Sequence, residues 1–237
     1  MMNLAHRNPP SRVEADDITE EEIVERIFEA IVEQRLPPGA KLAEAALCTA
    51  FGVGRMRIRR ALLLLAAQEI VELQANRGAF VASPTPEQAN EIFEARLAIE
   101  PTIARLAVQR ASEAEIGALC RHIELEHEAH RDGRRRDAIR LSGQFHSLLA
   151  QVAGNSVMLR TMKELIPRTS LIIGIFGAPG LANCRSDDHT AILKAIEGRD
   201  AELAAATMER HLKHIQEHLD LTGNPAGPLD LATIFKR

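Results

Sequence analysis

The sequence predicts a mainly α-helical protein in two units. The first is small, with three helices and a β-hairpin. The second is larger and built only of helices. Three observations lead there. The chain has no Trp and no Tyr, and aromatics make up only 3 % of it, so its core must be aliphatic, which suits helices better than a sandwich. A single stretch, residues 70–81, reads as strand, turn and strand. Beyond the linker SPTPEQ (83–88), apolar residues recur at helical spacing as far as residue 220. At 237 residues the chain is long enough for two ordinary domains.

Residues 1–17 are polar, contain Pro9-Pro10, and are expected to be disordered. Thr19 is placed to cap a helix, with Glu20, Glu21 and Glu22 in the first turn complementing the helix dipole. Ile23, Ile27 and Ile31, with Val24 and Phe28 nearby, form an apolar stripe. LPPGA (36–40) ends this helix with two prolines and a glycine. Residues 41–62, KLAEAALCTAFGVGRMRIRRAL, read as two short helices around a tight turn at Gly52-Val53-Gly54. Leu42, Ala46 and Leu47 can face Ile58, Ala61 and Leu62 across that turn, and the second helix runs on to about Gln68. In residues 70–81, Ile70-Val71 and Leu73 lead in, Asn76-Arg77-Gly78 turns, and Ala79-Phe80-Val81 leads out. Three helices followed by a hairpin form a winged helix-turn-helix over 18–82, with a linker at 83–89.

The second unit, 90–220, divides into helices near 86–109 (which opens inside the linker), 112–131, 134–152, 155–176, 186–197 and 200–220. The breaks fall at Asp132-Gly133, Gly154-Asn155, Gly177–Gly180 and Gly198. Residues 221–237, with two Pro and two Gly, are expected to be a loose tail.

Net charge is −4, which excludes a chain that merely coats nucleic acid. Between Lys41 and Ala82, however, six basic residues face three acidic ones, a local balance of +3. Cys48, Cys120 and Cys184 are far apart without CxxC spacing, as expected of reduced thiols in a cytosol. The N-terminus carries no apolar signal core, and no apolar run reaches the roughly 18 residues of a membrane span. The expectation is a soluble cytoplasmic protein with no membrane partner.

The basic patch has a specific form. Arg55, Arg57, Arg59 and Arg60 open the second of the two short helices. A helix that packs its apolar side and carries guanidinium groups on the other suits the DNA major groove, about 12 Å wide, where Arg can pair bidentately with guanine. Arg55 and Arg59, four apart, share one face.

In order and spacing, LPPGAKLAEAAL, FGVGR, IRRAL and NRGAFV resemble the DNA-binding domain of the GntR superfamily of bacterial transcription regulators, FadR-like branch. EARLAIEP (94–101), FHSLLAQVAGN (145–155), DDHTAILKAIEGRDAELA (187–204) and MERHL (208–212) resemble that family's all-helical FCD effector-binding domain. The resemblance implies DNA contacts from Lys41, Arg55 and Arg59, and from a wing tip at Arg77-Gly78. Arg57 joins this set because it adds charge where the family is apolar, as Arg60 does where the family is acidic. It also implies a homodimer on a palindromic double-stranded operator, acting as a repressor.

Nine histidines occur. His122, His127 and His130 lie on a charged helix and read as surface residues. His211, His214 and His218 can share one face of the last helix. His146, His189 and His211 match the FCD pattern, which implies that they converge from three helices as ligands for a divalent metal, Zn²⁺ or Ni²⁺. The family's metal-binding members carry a carboxylate four residues before the first of these, where this chain has Ser142. A three-His site completed by water or by an effector, or a polar pocket without metal, are both open. Arg96 aligns with the arginine that clamps a small organic acid effector, and Arg168 is a further effector candidate. Asn155 is read either as a helix cap or as an effector contact. The alternatives to a ligand-responsive regulator are a metal sensor and a metal-dependent hydrolase.

Overall fold

In a computed structural model, residues 18–32, 35–177 and 186–221 are described. The expected tail at 1–17, the expected tail at 221–237 beyond Leu221, and the Gly177–Gly180 break beyond Gly177 lie outside them. Helix α1 (Glu20–Val32) starts at Thr19, whose Oγ1 accepts the Glu22 N–H (3.1 Å) while the Glu22 carboxylate accepts the Thr19 N–H (2.7 Å). Such a reciprocal cap contributes about 1 kcal/mol. Ile23, Ile27 and Ile31 are all buried, as their spacing predicts.

The structure differs from the sequence expectation next. Lys41–Leu42 is not helix but a short strand, β1. Helices α2 (Glu44–Phe51) and α3 (Arg55–Ala67) follow, then strands β2 (Val71–Gln74) and β3 (Gly78–Val81). Strand β3 is central, with order β1-β3-β2, so the hairpin is a three-stranded sheet. Lys41 pairs with Phe80 and Leu42 with Ala79. The physical reason lies in the LPPGA turn, where Gly39 N donates to Val81 O and Val81 N to Ala40 O (both 2.9 Å). That turn lays the next two residues along β3 and satisfies its outer backbone groups. Two residues are too few for alternation to show in a sequence. At the hairpin tip Gly78 has φ +100°, which side-chain-bearing residues rarely adopt.

The second unit comprises α4 (Pro86–Arg110), α5 (Glu113–Arg131), α6 (Arg135–Val152), α7 (Ser156–Phe176), α8 (Ser186–Glu197) and α9 (Ala201–Glu217). Thr85 and Ser112 form capping boxes with Gln88 and Glu115. Helix α4 packs against α9, α6 and α7, and α5 against α6 and α8, around an aliphatic core with Phe93 and Phe145 fully buried. Helix α7 serves both units, since Leu171 belongs to the N-terminal core. At Gly174 an added Cβ would lie 3.0 Å from Val32 Cα, so the backbones of α1 and α7 touch.

Candidate metal centre and nucleic-acid interface

The four arginines of α3 divide by face. Arg57 is half-buried and its Nη1 donates to Ile18 O (3.1 Å), while Arg60 pairs with Glu20 (3.1 Å). These two, three apart, tie α3 to the start of α1. On the other face Arg55 is exposed with no polar partner among the described residues. Arg59 Nε donates to both oxygens of Glu44, at 2.9 and 3.0 Å. At the wing, Lys41 Nζ lies 5.9 Å and Arg77 Cζ 5.4 Å from the centre of the Phe80 ring. The β1–β3 pairing sets Lys41 opposite Phe80, so one ring holds two cations beside the Gly78 turn.

His146, His189 and His211, from α6, α8 and α9, are all buried and their ligand atoms gather within 4.8 Å of one another. His211 Nε2 lies 3.2 Å from His189 Nε2 and 3.3 Å from His146 Nε2. The other nitrogen of each ring meets a carboxylate. His146 Nδ1 is hydrogen-bonded to Glu100, His189 Nδ1 to Glu126 (2.7 Å), and His211 Nδ1 to Asp188 (3.2 Å). Carboxylates accept, so each Nδ1 carries a proton, and in the neutral ring the inward Nε2 keeps its lone pair. Phe145, stacked 4.1 Å from the His189 ring, fixes that ring's plane.

Electrostatics fits this arrangement. Burial alone would raise the Glu100 carboxyl, but the adjoining Arg96 guanidinium and His146 outweigh it and hold the group at about 2. Burial and the Arg96 charge keep His146 neutral, with its pKa lowered to about 3 against the pull of Glu100. Glu126 is held down by His189 and His130 against the effect of burial, and Asp188 by its hydrogen bond from His211. Three carboxylates less one guanidinium leave two negative charges around three inward lone pairs, which a divalent cation would neutralise. The nitrogen spacings of 3.2 and 3.3 Å are close to the roughly 3.3 Å edge of a tetrahedron with metal–nitrogen bonds near 2.0 Å. Among the described residues no carboxylate belongs to the ligand cluster, and Ser142 is buried on α6 one turn before His146.

Arg96 is buried and bonded through Nε to Glu100, while its buried Nη2 has no partner among the described residues. The other effector candidates lie elsewhere. Asn155 is the cap of α7, with Oδ1 accepting from Val157 N and Met158 N (both 3.1 Å), and none of its hydrogen bonds reaches the histidines. Arg168 is turned to the N-terminal unit, where Nη2 pairs with Glu69 (3.0 Å) beside a cavity of about 150 Å³ between the units. The charge of Glu69 draws it there. The three α5 histidines are half-buried rather than fully on the surface. His122 meets Leu141 O (2.8 Å), His127 meets Thr190 Oγ1 (3.3 Å), and His130 faces Glu126. The His214 ring lies 4.2 Å from that of His218, tilted by 50°, and of these two and His211 only His211 joins the centre.

Sequence reasoning missed Glu44, Glu100 and Glu126. Two left a signal. Glu126 continues the buried stripe of Ile116, Leu119 and Ile123, a carboxylate where an apolar residue belongs. Glu100 stands four residues after Arg96 on the buried face of α4. Glu44 left none.

Comparison with known proteins follows the same division. Residues 19–81 match the model for bacterial regulatory proteins of the gntR family, and residues 91–214 match the FCD domain. The HTH-type transcriptional regulator YdhC of Bacillus subtilis is 27 % identical over 188 residues, covering 77 % of this chain and 82 % of that protein. The HTH-type transcriptional repressor RspR of Escherichia coli is 26 % identical over 190 residues, covering 79 % and 82 %. A GntR regulator structure from Rhodococcus sp. RHA1 superposes with a TM-score of 0.69 at 20 % identity, covering 84 % of this chain and 95 % of that one.

Proposed function

Because this chain belongs to the gntR family of bacterial regulatory proteins and carries an FCD domain behind its winged helix-turn-helix, we propose that it is a repressor whose grip on an operator is set by a small organic acid held beside a divalent metal. One observation carries the effector half of this reading. Among the described residues the buried Arg96 Nη2 lacks a partner while its Nε is bonded to Glu100, which also holds His146. A buried donor without a partner costs about 1–3 kcal/mol, and a ligand carboxylate would remove that cost. His146, His189 and His211 would hold Zn²⁺ or Ni²⁺, with Glu100, Glu126 and Asp188 orienting the rings. The metal would supply a Lewis-acidic charge to which the effector's oxygen could bind. With Ser142 in place of a carboxylate, three histidines alone leave a metal short of a ligand that the effector would supply, which favours an organic-acid effector over the metal itself as the signal.

Arg55 and Arg59 would read base edges, and Lys41, Arg77 and the Gly78 turn would grip the backbone. Arg57, bonded to Ile18 O, serves the α1–α3 contact in the DNA-free chain. A homodimer would set two α3 helices about 34 Å apart on a palindromic site. The relatives are transcription regulators, not hydrolases. Among the described residues no helix is long and apolar enough to cross a membrane, and a cytoplasmic site of action goes with this reading. The effector acts by binding one spacing of the heads better than another.

The test is operator affinity of purified protein with chelator, with Zn²⁺ or Ni²⁺, and with metal plus a panel of small carboxylic acids. A response to one acid that needs metal and is lost in Arg96→Met is expected. A response to metal alone would make the protein a metal sensor, and no response to any arm would remove the effector reading.

A further inference from the structure

Glu44 is the first residue of α2, yet it takes no part in capping that helix. Its carboxylate accepts from Arg59 Nε at both oxygens. The pair is half open to solvent, with side chains 36 % and 56 % exposed. Neither residue has another polar partner among the described residues. The other bonded arginines of α3 are held by the start of α1, at Ile18 and Glu20. Arg59 alone is held by α2, and it is held through Nε.

That choice of atom has a consequence. An arginine reads guanine through two parallel N–H groups directed at O6 and N7. With Nε engaged by Glu44, both terminal nitrogens of Arg59 remain for that pairing. The long side chain no longer has to lose all of its rotamer freedom on binding, because the ion pair has already fixed it. The carboxylate also disfavours a neighbouring phosphate, so Arg59 is steered away from a sequence-blind backbone contact.

We propose that Glu44 is a positioning residue for base recognition: it orients Arg59 for end-on reading of a guanine and makes this position of the operator selective. The proposal rests on the reading of Arg59 as a base contact, and the experiment separates the two. Full-length wild type, Glu44→Ala, Glu44→Gln, Glu44→Asp and Arg59→Ala are each used to select sites from a randomised double-stranded DNA pool. Base preferences are then compared position by position, together with the salt dependence of binding.

Arg59→Ala should erase the preference for guanine at one position of each half-site. Glu44→Ala and Glu44→Gln should weaken the same preference about ten-fold, the scale of one bidentate pair, and leave the other positions unchanged. Total affinity for non-specific DNA should rise in both, since a negative charge is gone. Glu44→Asp should recover part of the preference. A mere packing role for Glu44 would lower affinity at all positions alike. If Glu44→Ala and Glu44→Gln keep the wild-type profile while Arg59→Ala loses one position, the Glu44 proposal is overturned and the Arg59 reading stands. If Arg59→Ala also keeps the profile, the Arg59 reading falls, and the Glu44 proposal with it. Circular dichroism of each variant shows whether the fold is intact.

Discussion

Replacing Arg96 by Met tests the buried charge network. The side chains of Arg96 and Glu100 are 3 % and 1 % exposed, so removing the guanidinium while keeping its bulk strands an anion beyond the reach of water. Removing one partner of a buried ion pair costs about 3–5 kcal/mol. The lower end, about 3 kcal/mol, is expected here, because His146 remains hydrogen-bonded to Glu100 and can take over as its counter-charge. Arg96 lowers the pKa of His146 and Glu100 raises it. Loss of the guanidinium therefore lets His146 bind a proton that the wild-type fold refuses. The folded variant then binds more protons than the folded wild type, and by linkage its deficit shrinks as the pH falls. The assay is urea unfolding of metal-free protein at one fixed concentration, followed by helical circular dichroism between about pH 8 and about pH 5.5. Arg96→Met, Glu100→Gln and the double variant complete a cycle. The double variant should be less impaired than Arg96→Met, since the stranded anion has gone. A deficit below about 1 kcal/mol near pH 8, or one that does not shrink toward acid, would refute the claim that Arg96 keeps Glu100 ionised.

Further outcomes follow from the same geometry. His189→Ala should abolish tight Zn²⁺ or Ni²⁺ binding, and Ser142→Asp should tighten it, as read by metal analysis and calorimetry; unchanged binding in both would remove the centre as a metal site. Gly174→Ala gains about 1 kcal/mol of helix propensity, but its Cβ would press on the Val32 backbone at 3.0 Å. Overpacking costs about 1–3 kcal/mol, so net destabilisation and a looser contact between α1 and α7 should appear in thermal melts and hydrogen exchange. His146, with its folded pKa lowered from 6.5 to about 3, stays neutral in the fold while the unfolded chain takes up a proton. Its share of stability is present above pH 6.5 and is lost toward pH 3 at about 1.4 kcal/mol per pH unit. Urea titrations of metal-free wild type and His146→Gln should show the steeper acid loss in the wild type.

Much of the fold was legible because its signals are local. Thr19, Thr85 and Ser112 start helices wherever they stand before a glutamate or glutamine three residues on, and the isoleucine stripe of α1 needs only a period of 3.6. The strand at Lys41–Leu42 was not legible, since its partners, Phe80 and Ala79, lie far along the chain in β3. The chemistry divides in the same way. The three histidines were found by likeness to a motif and the structure gathers them, whereas Arg168 is turned to Glu69, and Asn155, read either as a cap or as an effector contact, caps the first turn of α7.

The sequence by itself determined the order of the helices and of the β-hairpin, the two-unit division of the helices, and the residue types available for each task, because these depend on neighbours within a few positions along the chain. Only the tertiary structure decided how those residues are used. It divides four similar arginines between a fastening to α1 and an exposed face, and it gives each inward-turned histidine a carboxylate from a different helix or turn. It also leaves one nitrogen of Arg96 buried and unpaired among the described residues. Hydrogen bonds and charge interactions in a core act over about 3 Å of space, and separation along the chain does not report that distance.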